Sequence, residues 1–168
     1  MEDSLMVQFL FKNKISTLGT FLIIGSISLI FYNIYKSKNF SIITDSSQNV
    51  YIEGEKQKGE FKYGETNLNV LYLYIELKSI SQRFYIYENV GNNNDSSYLN
   101  NIRDNILKGT KIKIWVDNDE FKNYKDVEIQ KLEIGSTIFY NFFNYQYIFI
   151  AIISGIILLI ISKKYSNT

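Results

Sequence analysis

Pairs of carboxylates at alternate positions are the residues of this chain whose spacing could support acid–base chemistry. Glu53 and Glu55 are two positions apart, as are Asp117 and Asp119, so in an extended strand each pair lies on one face. Catalysis by such a pair also needs a nucleophile, a base and an orienting group that converge on it. No such group accompanies either pair, so we expect that the protein is not an enzyme.

The amino-acid composition excludes most other catalytic and metal-binding chemistry. The chain has 168 residues and contains no His, Cys or Pro. Cys/His zinc sites, thiol nucleophiles, disulfides and Ser-His-Asp triads are therefore excluded within the chain. The acidic stretch 117–120 lacks the spacing of an EF-hand, because Lys122 stands where that calcium loop needs glycine. We expect a polar turn there, no bound metal and no cofactor.

The charge balance argues against nucleic acid as a partner. The chain carries 18 basic and 17 acidic side chains, a net charge of +1. Affinity for nucleic acid depends largely on neutralising phosphates with lysine and arginine. A chain that is neutral overall lacks that attraction, and we expect no nucleic-acid partner.

An uncharged run near the beginning of the chain predicts a transmembrane helix over residues 17–35. Nineteen residues of α-helix reach about 28 Å, close to the hydrocarbon thickness of a bilayer. A cleaved signal peptide is the alternative, since Lys12 and Lys14 provide a basic flank. The run is long for a signal peptide, and the following YKSKNF offers no small-x-small cleavage site, so an uncleaved anchor is favoured.

A second membrane segment is predicted near the other end, over residues 139–162. Its strictly apolar part, 147–162, is short for a membrane span. The preceding aromatic stretch from Phe139 is therefore predicted to form the interfacial first turn of the same helix. The lipid bilayer is then a partner of both helices.

Basic residues at the outer flanks of the two helices predict the orientation. Lys12 and Lys14 precede the first helix, and Lys163 and Lys164 follow the second. Short basic flanks stay on the cytoplasmic side. We therefore expect a two-pass protein of the cell membrane, with cytoplasmic segments 1–16 and 163–168 and an extracytoplasmic domain over 36–138.

Small residues mark the faces on which the helices can approach closely. Gly19 and Ser26 share one face of the first helix, and Ala151 and Gly155 form a small-xxx-small pair on the second. Two alternatives remain open: the hairpin packs on itself, or these faces contact another membrane protein or a second copy of the chain.

Between the anchors, the hydrophobic pattern changes to a period of two and predicts five strands and one helix. The helix is expected over 97–107, with Asp95 or Ser96 as its N-cap and Gly109 just beyond its end. A helix between the third and fourth strands favours an OB-like barrel over an SH3-like one. The predicted strands are 49–54, 70–78, 82–88, 111–117 and 126–134, with 40–44 as a candidate extension of the first.

The alternation assigns core and outer faces. Strand five changes parity at Gln130 and Lys131, which predicts a β-bulge. The predicted core contains Leu71, Leu73, Ile75, Leu77, Phe84, Ile86, Ile112, Ile114 and Val116, and the predicted outer aromatic face contains Tyr72, Tyr74, Tyr85, Tyr87 and Trp115.

Three readings of the outer aromatic residues stay open. Tyrosine is an ordinary strand residue, and cross-strand aromatic pairs stabilise sheets without any ligand. Contact with a protein or with the membrane surface is the second reading. Stacking of a carbohydrate or another ring is the third, because aromatic residues on strands two and three of OB-folds act in this way.

The stretch around strand four resembles a known pattern. Gly109, Thr110, Ile112, Ile114 and Asp117 occupy positions comparable to Gly-Asp-x-Val-x-Val-x-Tyr-Asp-Pro, with Trp115 or Val116 before the Asp. That pattern is typical of bacterial two-transmembrane proteins of unknown function with an OB-like β-domain between the helices. The resemblance implies this architecture across most of the chain, although Thr110 replaces the usual Asp and Asn118 the usual Pro. It implies no catalytic residue.

The sequence thus predicts a membrane-anchored β-domain that acts as a structural or protein-interaction module, within a larger membrane assembly. The alternative is a ligand-binding or sensor subunit that stacks a ring on the Tyr/Trp face. Alanine at Trp115 and Tyr85 would separate the two.

Overall fold

The structure, a computed structural model, describes residues 13–61, 64–143 and 145–165. The terminal stretches 1–12 and 166–168, Lys12 included, lie outside the described residues. The chain divides into two units, a helix pair and a β-domain that covers residues 39–142.

Ten elements follow one another along the described chain. They are α1 (Lys14–Ser37), β1 (Phe40–Phe61), β2 (Gly64–Leu77), β3 (Arg83–Gly91), α2 (Ser97–Asp104), β4 (Lys111–Asp117), α3 (Asn118–Asn123), β5 (Asp126–Ile134), β6 (Thr137–Asn141) and α4 (Tyr145–Tyr165).

The helix pair has the length and composition needed to cross a membrane. The candidate spans are Lys14–Ser37 and Tyr145–Lys164, and only 22% and 11% of their most apolar windows is buried. A core helix of a soluble protein would be mostly buried, whereas these helices leave most of their apolar side chains exposed. At the start of α1, Asn13 and Ser16 form a capping box, in which each side chain accepts a hydrogen bond from the other residue's backbone N–H.

Five strands of the β-domain close into a barrel. β1 pairs antiparallel with β2 and with β4, β2 with β3, and β4 with β5. A parallel pairing of β3 with β5 closes the circle. The predicted five-stranded barrel is confirmed, and the helix between β3 and β4 gives it the OB-like element order.

The barrel core follows from alternation along the strands. All the residues predicted as core are buried, and α2 adds Leu99 and Ile102 to them. The N-cap of α2 is Ser96, whose side chain accepts a hydrogen bond from the Leu99 amide. The bulge in β5 is also confirmed, because Trp115 pairs with Lys131 and Val116 with Ile129, which leaves out the residue between them.

The second apolar helix begins later than predicted. The sequence predicts helix from Phe139, but 137–141 form strand β6 and α4 begins at Tyr145. Gly135, at φ +62°, allows a tight turn after β5, so TIFYN pairs back onto that strand as an edge strand. The aromatic residues at 139 and 140 therefore belong to the β-domain.

The acidic stretch after β4 is a short helix rather than the polar turn that we expected. Asp117 caps it by accepting a hydrogen bond from the Asp119 amide at 2.9 Å. Asn39 donates a hydrogen bond to the carboxylate of Asp119 at 3.2 Å. The carboxylates thus have a structural role in holding this connection.

Candidate functional site

Tyrosines on the outside of three adjacent strands form one surface, which we name the tyrosine face. Tyr74 on β2 lies opposite Tyr51 on β1 and Tyr85 on β3. Tyr72, two residues earlier on β2, lies opposite Tyr87 on β3. The tyrosine face therefore consists of Tyr51, Tyr72, Tyr74, Tyr85 and Tyr87, and it brings together the four predicted tyrosines.

The rings of the tyrosine face pack against one another. Tyr74 stacks on Tyr51 at a centroid distance of 5.5 Å and on Tyr72 at 6.0 Å. Tyr72 meets Tyr85 edge to face at 5.7 Å and lies 6.2 Å from Tyr87. These separations lie within the range of favourable aromatic pairs. Ring faces that are stacked on neighbouring tyrosines are not open to a stacked ligand.

Carboxylates surround the tyrosine face. The guanidinium of Arg83 provides a positive charge among them on the same outer surface. The outer surface of β1, β2, β3 and the start of β5 carries the acidic residues Glu53, Glu55, Glu76, Asp126 and Glu128.

Arg83 joins the tyrosine face to the seam that closes the barrel. Its Nε and Nη2 donate to the two carboxylate oxygens of Asp126 at 2.7 and 2.8 Å, a bidentate pair across β3 and β5. The guanidinium also lies 4.7 Å from the centroid of the Tyr74 ring. Hydrogen bonding to Asp126 raises the pKa of Arg83 above its ordinary value. The tyrosine face thus already accommodates one cation over a ring.

The central hydroxyls of the tyrosine face remain protonated at neutral pH. Burial, followed by the charge of Asp126, raises the pKa of Tyr74 above its ordinary value. Burial, followed by the charges of Glu128 and Glu120, raises the pKa of Tyr85 to about 12. These phenols are therefore neutral hydrogen-bond donors and acceptors, not nucleophilic phenolates.

Trp115 lies on a different part of the outer surface. It is on β4, opposite Ile42 of β1 and Lys131 of β5. The ammonium groups of Lys113 and Lys131 lie 4.7 and 4.3 Å from its ring centroids, within cation–π range. β4 lies between β1 and β5, so it borders neither β2 nor β3, and Trp115 does not extend the tyrosine face.

One member of the tyrosine face was missed in the sequence. Tyr51 alternates with Val50 and Ile52 in NVYIEG, which is a signal for an outward position. Only the register shows that it stands beside Tyr74. Its hydroxyl donates to Glu76 at 3.3 Å and accepts from Arg83 at 3.4 Å, so it connects the rings to the surrounding charges.

Gly19 and Gly155 meet where the two apolar helices pack. A Cβ added at Gly155 would lie 2.7 Å from the backbone oxygen of Gly19, and one at Gly19 would lie 2.8 Å from that of Gly155. Ser26 is also buried in the pair, and Ala151 is half-buried. Near one end, the hydroxyl of Ser162 donates to the side-chain oxygen of Asn13 at 3.1 Å.

An open groove of about 240 Å³ lies where the β1–β2 hairpin leaves the barrel. Of the residues singled out in the sequence for chemistry, Glu55 of the first carboxylate pair lines it. Its lining consists of Ile52, Gly54, Glu55, Lys56, Asn69, Leu71 and Asn94.

Two apolar helices with a closed five-stranded barrel between them in sequence agree with the architecture of the bacterial two-transmembrane proteins described above. Comparison of the chain with protein-family models, with curated proteins and with solved structures gives no match, so the likeness is one of architecture.

Proposed function

We propose that the protein is a membrane-anchored interaction module whose tyrosine face binds a partner protein. The observation that carries the proposal is the packing of five tyrosines over three strands within a border of carboxylates. Tyrosine provides large contact area at low entropic cost and is enriched at binding interfaces. The partner is expected to present lysine or arginine side chains to this acidic surface.

The helix pair anchors this module in the proposal. Both helices could span a bilayer by length and composition, and basic residues flank their outer ends. The positive-inside tendency then places both termini in the cytoplasm and the barrel on the other side of the membrane. A partner of the tyrosine face would be another membrane protein or an extracytoplasmic one.

The ring geometry favours a protein partner over a stacked carbohydrate. A ring-stacking site presents open aromatic faces, whereas Tyr74 has stacked neighbours in both Tyr51 and Tyr72. Trp115 carries two ammonium groups over its ring. A carbohydrate could therefore stack on Tyr74 only if the neighbouring tyrosines moved, and on Trp115 only if the lysine side chains moved.

Paired substitutions test the proposal in the full chain. We expect Tyr72→Ala with Tyr87→Ala to reduce co-purification of a membrane partner by about tenfold or more, the loss that truncated interface hot spots cause. Tyr124→Ala is the matched control, because Tyr124 is exposed on the α3–β5 connection. Circular dichroism verifies that each variant keeps its fold.

The same variants separate the alternatives. Loss of saturable carbohydrate binding with unchanged protein co-purification would favour the ring-stacking subunit. Equal loss in the Tyr124→Ala control, or retention of the partner by the double variant, would contradict a protein-binding tyrosine face.

A further inference from the structure

Trp115 is the centre of a second outer surface, which we name the tryptophan face. One row across the sheet runs Ile42, Trp115, Lys131, and the next runs Lys113, Glu133, Ile138. Ile42 and Ile138 are 58% and 52% exposed, so each presents an apolar side chain to the surroundings. The tryptophan face consists of Ile42, Lys113, Trp115, Lys131 and Ile138.

The strands at the edges of the tryptophan face are those through which the chain enters and leaves the barrel. β1, which carries Ile42, begins three positions after the last residue of α1, and β6, which carries Ile138, ends four positions before α4 begins. Ile42 is five positions after Ser37, and five extended residues reach at most about 18 Å. Each of the two strands that carry an exposed isoleucine is therefore joined to an apolar helix by only a few residues.

Charge distinguishes the tryptophan face from the tyrosine face. The tryptophan face contains Lys113 and Lys131, with Lys111 beside it on β4, and the carboxylates nearby on the same outer surface are Glu133 and Asp117. Lys131 forms an ion pair with Glu133, which leaves Lys111 and Lys113 against Asp117, the N-cap of α3. The described residues that border the tyrosine face include five carboxylates and the guanidinium of Arg83. The barrel thus has a small excess of lysine around the tryptophan face and an excess of carboxylates around the tyrosine face, although the whole chain is close to neutral.

We propose that the tryptophan face docks on the headgroups of anionic phospholipids in the membrane that holds the helices. Tryptophan prefers the headgroup level of a bilayer, where its ring is amphipathic. Lysine stems cover apolar surface while their ammonium groups reach phosphates. The exposed isoleucines lie at the outer rim, where the headgroup layer would shield them from water.

A lipid surface fits this face better than a second copy of the chain. In this proposal the short connections to the helices keep the tryptophan face at a high effective concentration near the bilayer. Weak contacts with the headgroups are then enough to keep the face bound. A second copy that placed its tyrosine face on the tryptophan face would instead make binding depend on protein density. The proposal does not use the tyrosine face and is independent of the function proposed above.

The single tryptophan provides the test. The full chain is reconstituted in vesicles of phosphatidylcholine alone, or of equal parts phosphatidylcholine and phosphatidylglycerol, with or without brominated acyl chains. We expect bromine to quench Trp115 about twofold more in the anionic vesicles, because lysine binding there brings the ring to the lipid. Bromine in both leaflets makes the readout independent of insertion direction.

Charge-matched variants identify the residues responsible. Lys113→Gln with Lys131→Gln is expected to lower quenching to the level seen in phosphatidylcholine, whereas Lys122→Gln with Lys125→Gln should not change it. Ile42→Ser leaves the lysines over the ring and is expected to lower quenching as well. Tyr72→Ala with Tyr87→Ala should leave quenching intact, which separates this proposal from the partner-binding one.

Three results would overturn the lipid contact. They are quenching that is equal in neutral and anionic vesicles, equal loss in the Lys122 and Lys125 control, and quenching that rises with the protein-to-lipid ratio, which would indicate association of copies.

Discussion

Tyr85 shows how position in the sheet controls the chemistry of a single side chain. It lies between Tyr74 on β2 and Glu128 on β5, and it is half-buried. Burial and the nearby carboxylates both disfavour the phenolate, so its pKa rises to about 12. Burial also raises the pKa of Tyr140 on β6, which packs against the core cluster, so this phenol is neutral as well.

A tyrosinate titration tests this environment. An unfolded tyrosine titrates near pH 10, so Tyr85 contributes its full stability below about pH 10, and this contribution is lost as the pH rises to about 12. We expect the absorbance difference between the wild type and Tyr85→Phe to titrate near 12. A midpoint near 10, with an intact circular dichroism spectrum, would contradict the half-buried position.

The sequence predicts correctly which side of the sheet a residue faces, but it does not predict which residues of other strands lie next to it. Alternation assigns Tyr72, Tyr74, Tyr85 and Tyr87 to the outside without any knowledge of the register. It assigns Trp115 to the outside equally well, but a closed barrel has an outside all around, and β4 borders neither β2 nor β3. Tyr51 is the opposite case, since it becomes a neighbour of Tyr74 only through long-range pairing.

At the scale of elements, contact between two glycines determines how closely α1 and α4 pack. The space for a Cβ at Gly155 is occupied by Gly19 and Ile23, with Cβ distances of 2.7 Å to both. Gly25, on the same helix as Gly19, has nothing within 4 Å of its added Cβ. The two positions on α1 therefore differ sharply in their tolerance of alanine.

Spin labels can measure how an added methyl group at a glycine changes the distance between the helices. The labels can be attached at introduced cysteines, because the chain contains no cysteine of its own. With labels at Ile24 and Ile150, both exposed, we expect Gly155→Ala to lengthen the distance measured by electron–electron double resonance. Overpacking of this kind costs about 1–3 kcal/mol. Gly25→Ala is the control and should leave the distance unchanged; an equal shift in both variants would argue against glycine-mediated packing.

Element boundaries were predictable where one pattern was unambiguous. The bounds of β4 and β5 agree with those predicted, because strict alternation and flanking turn residues mark both strands. The aromatic stretch before α4 has two possible readings, an interfacial helix turn or a strand. The turn at Gly135 and the amide of Phe142, which donates to the carbonyl of Gln130 at 2.9 Å, favour the strand. Local sequence contains no information about that pairing.

At the scale of the whole molecule, an overall balance of charge hides two unlike surfaces. The tyrosine face has an acidic border and the tryptophan face a small excess of lysine, so net charge alone underestimates the electrostatic interactions open to the barrel. In our proposal one surface faces lipid and the other faces a protein. Both proposals assume that the helix pair anchors the barrel in a membrane.

Cysteine labelling tests the proposed orientation. In intact cells we expect a membrane-impermeant maleimide to label Asn94→Cys, in the loop before α2, without lysis. Thr168→Cys should be labelled only after lysis, because the proposed orientation puts Lys163 and Lys164, in the last turn of α4, on the cytoplasmic side. The reverse pattern would place the barrel in the cytoplasm and contradict the proposed topology.

Site-specific photocrosslinking tests the partner-binding tyrosine face most directly. A benzophenone amino acid replaces Tyr87, which is 47% exposed within the tyrosine face, or Tyr124, which is 63% exposed outside it. Irradiation of membranes that contain the full chain should give a discrete adduct with another protein from position 87 and none from position 124. Absence of an adduct at position 87, or the same adducts from both positions, would contradict the account.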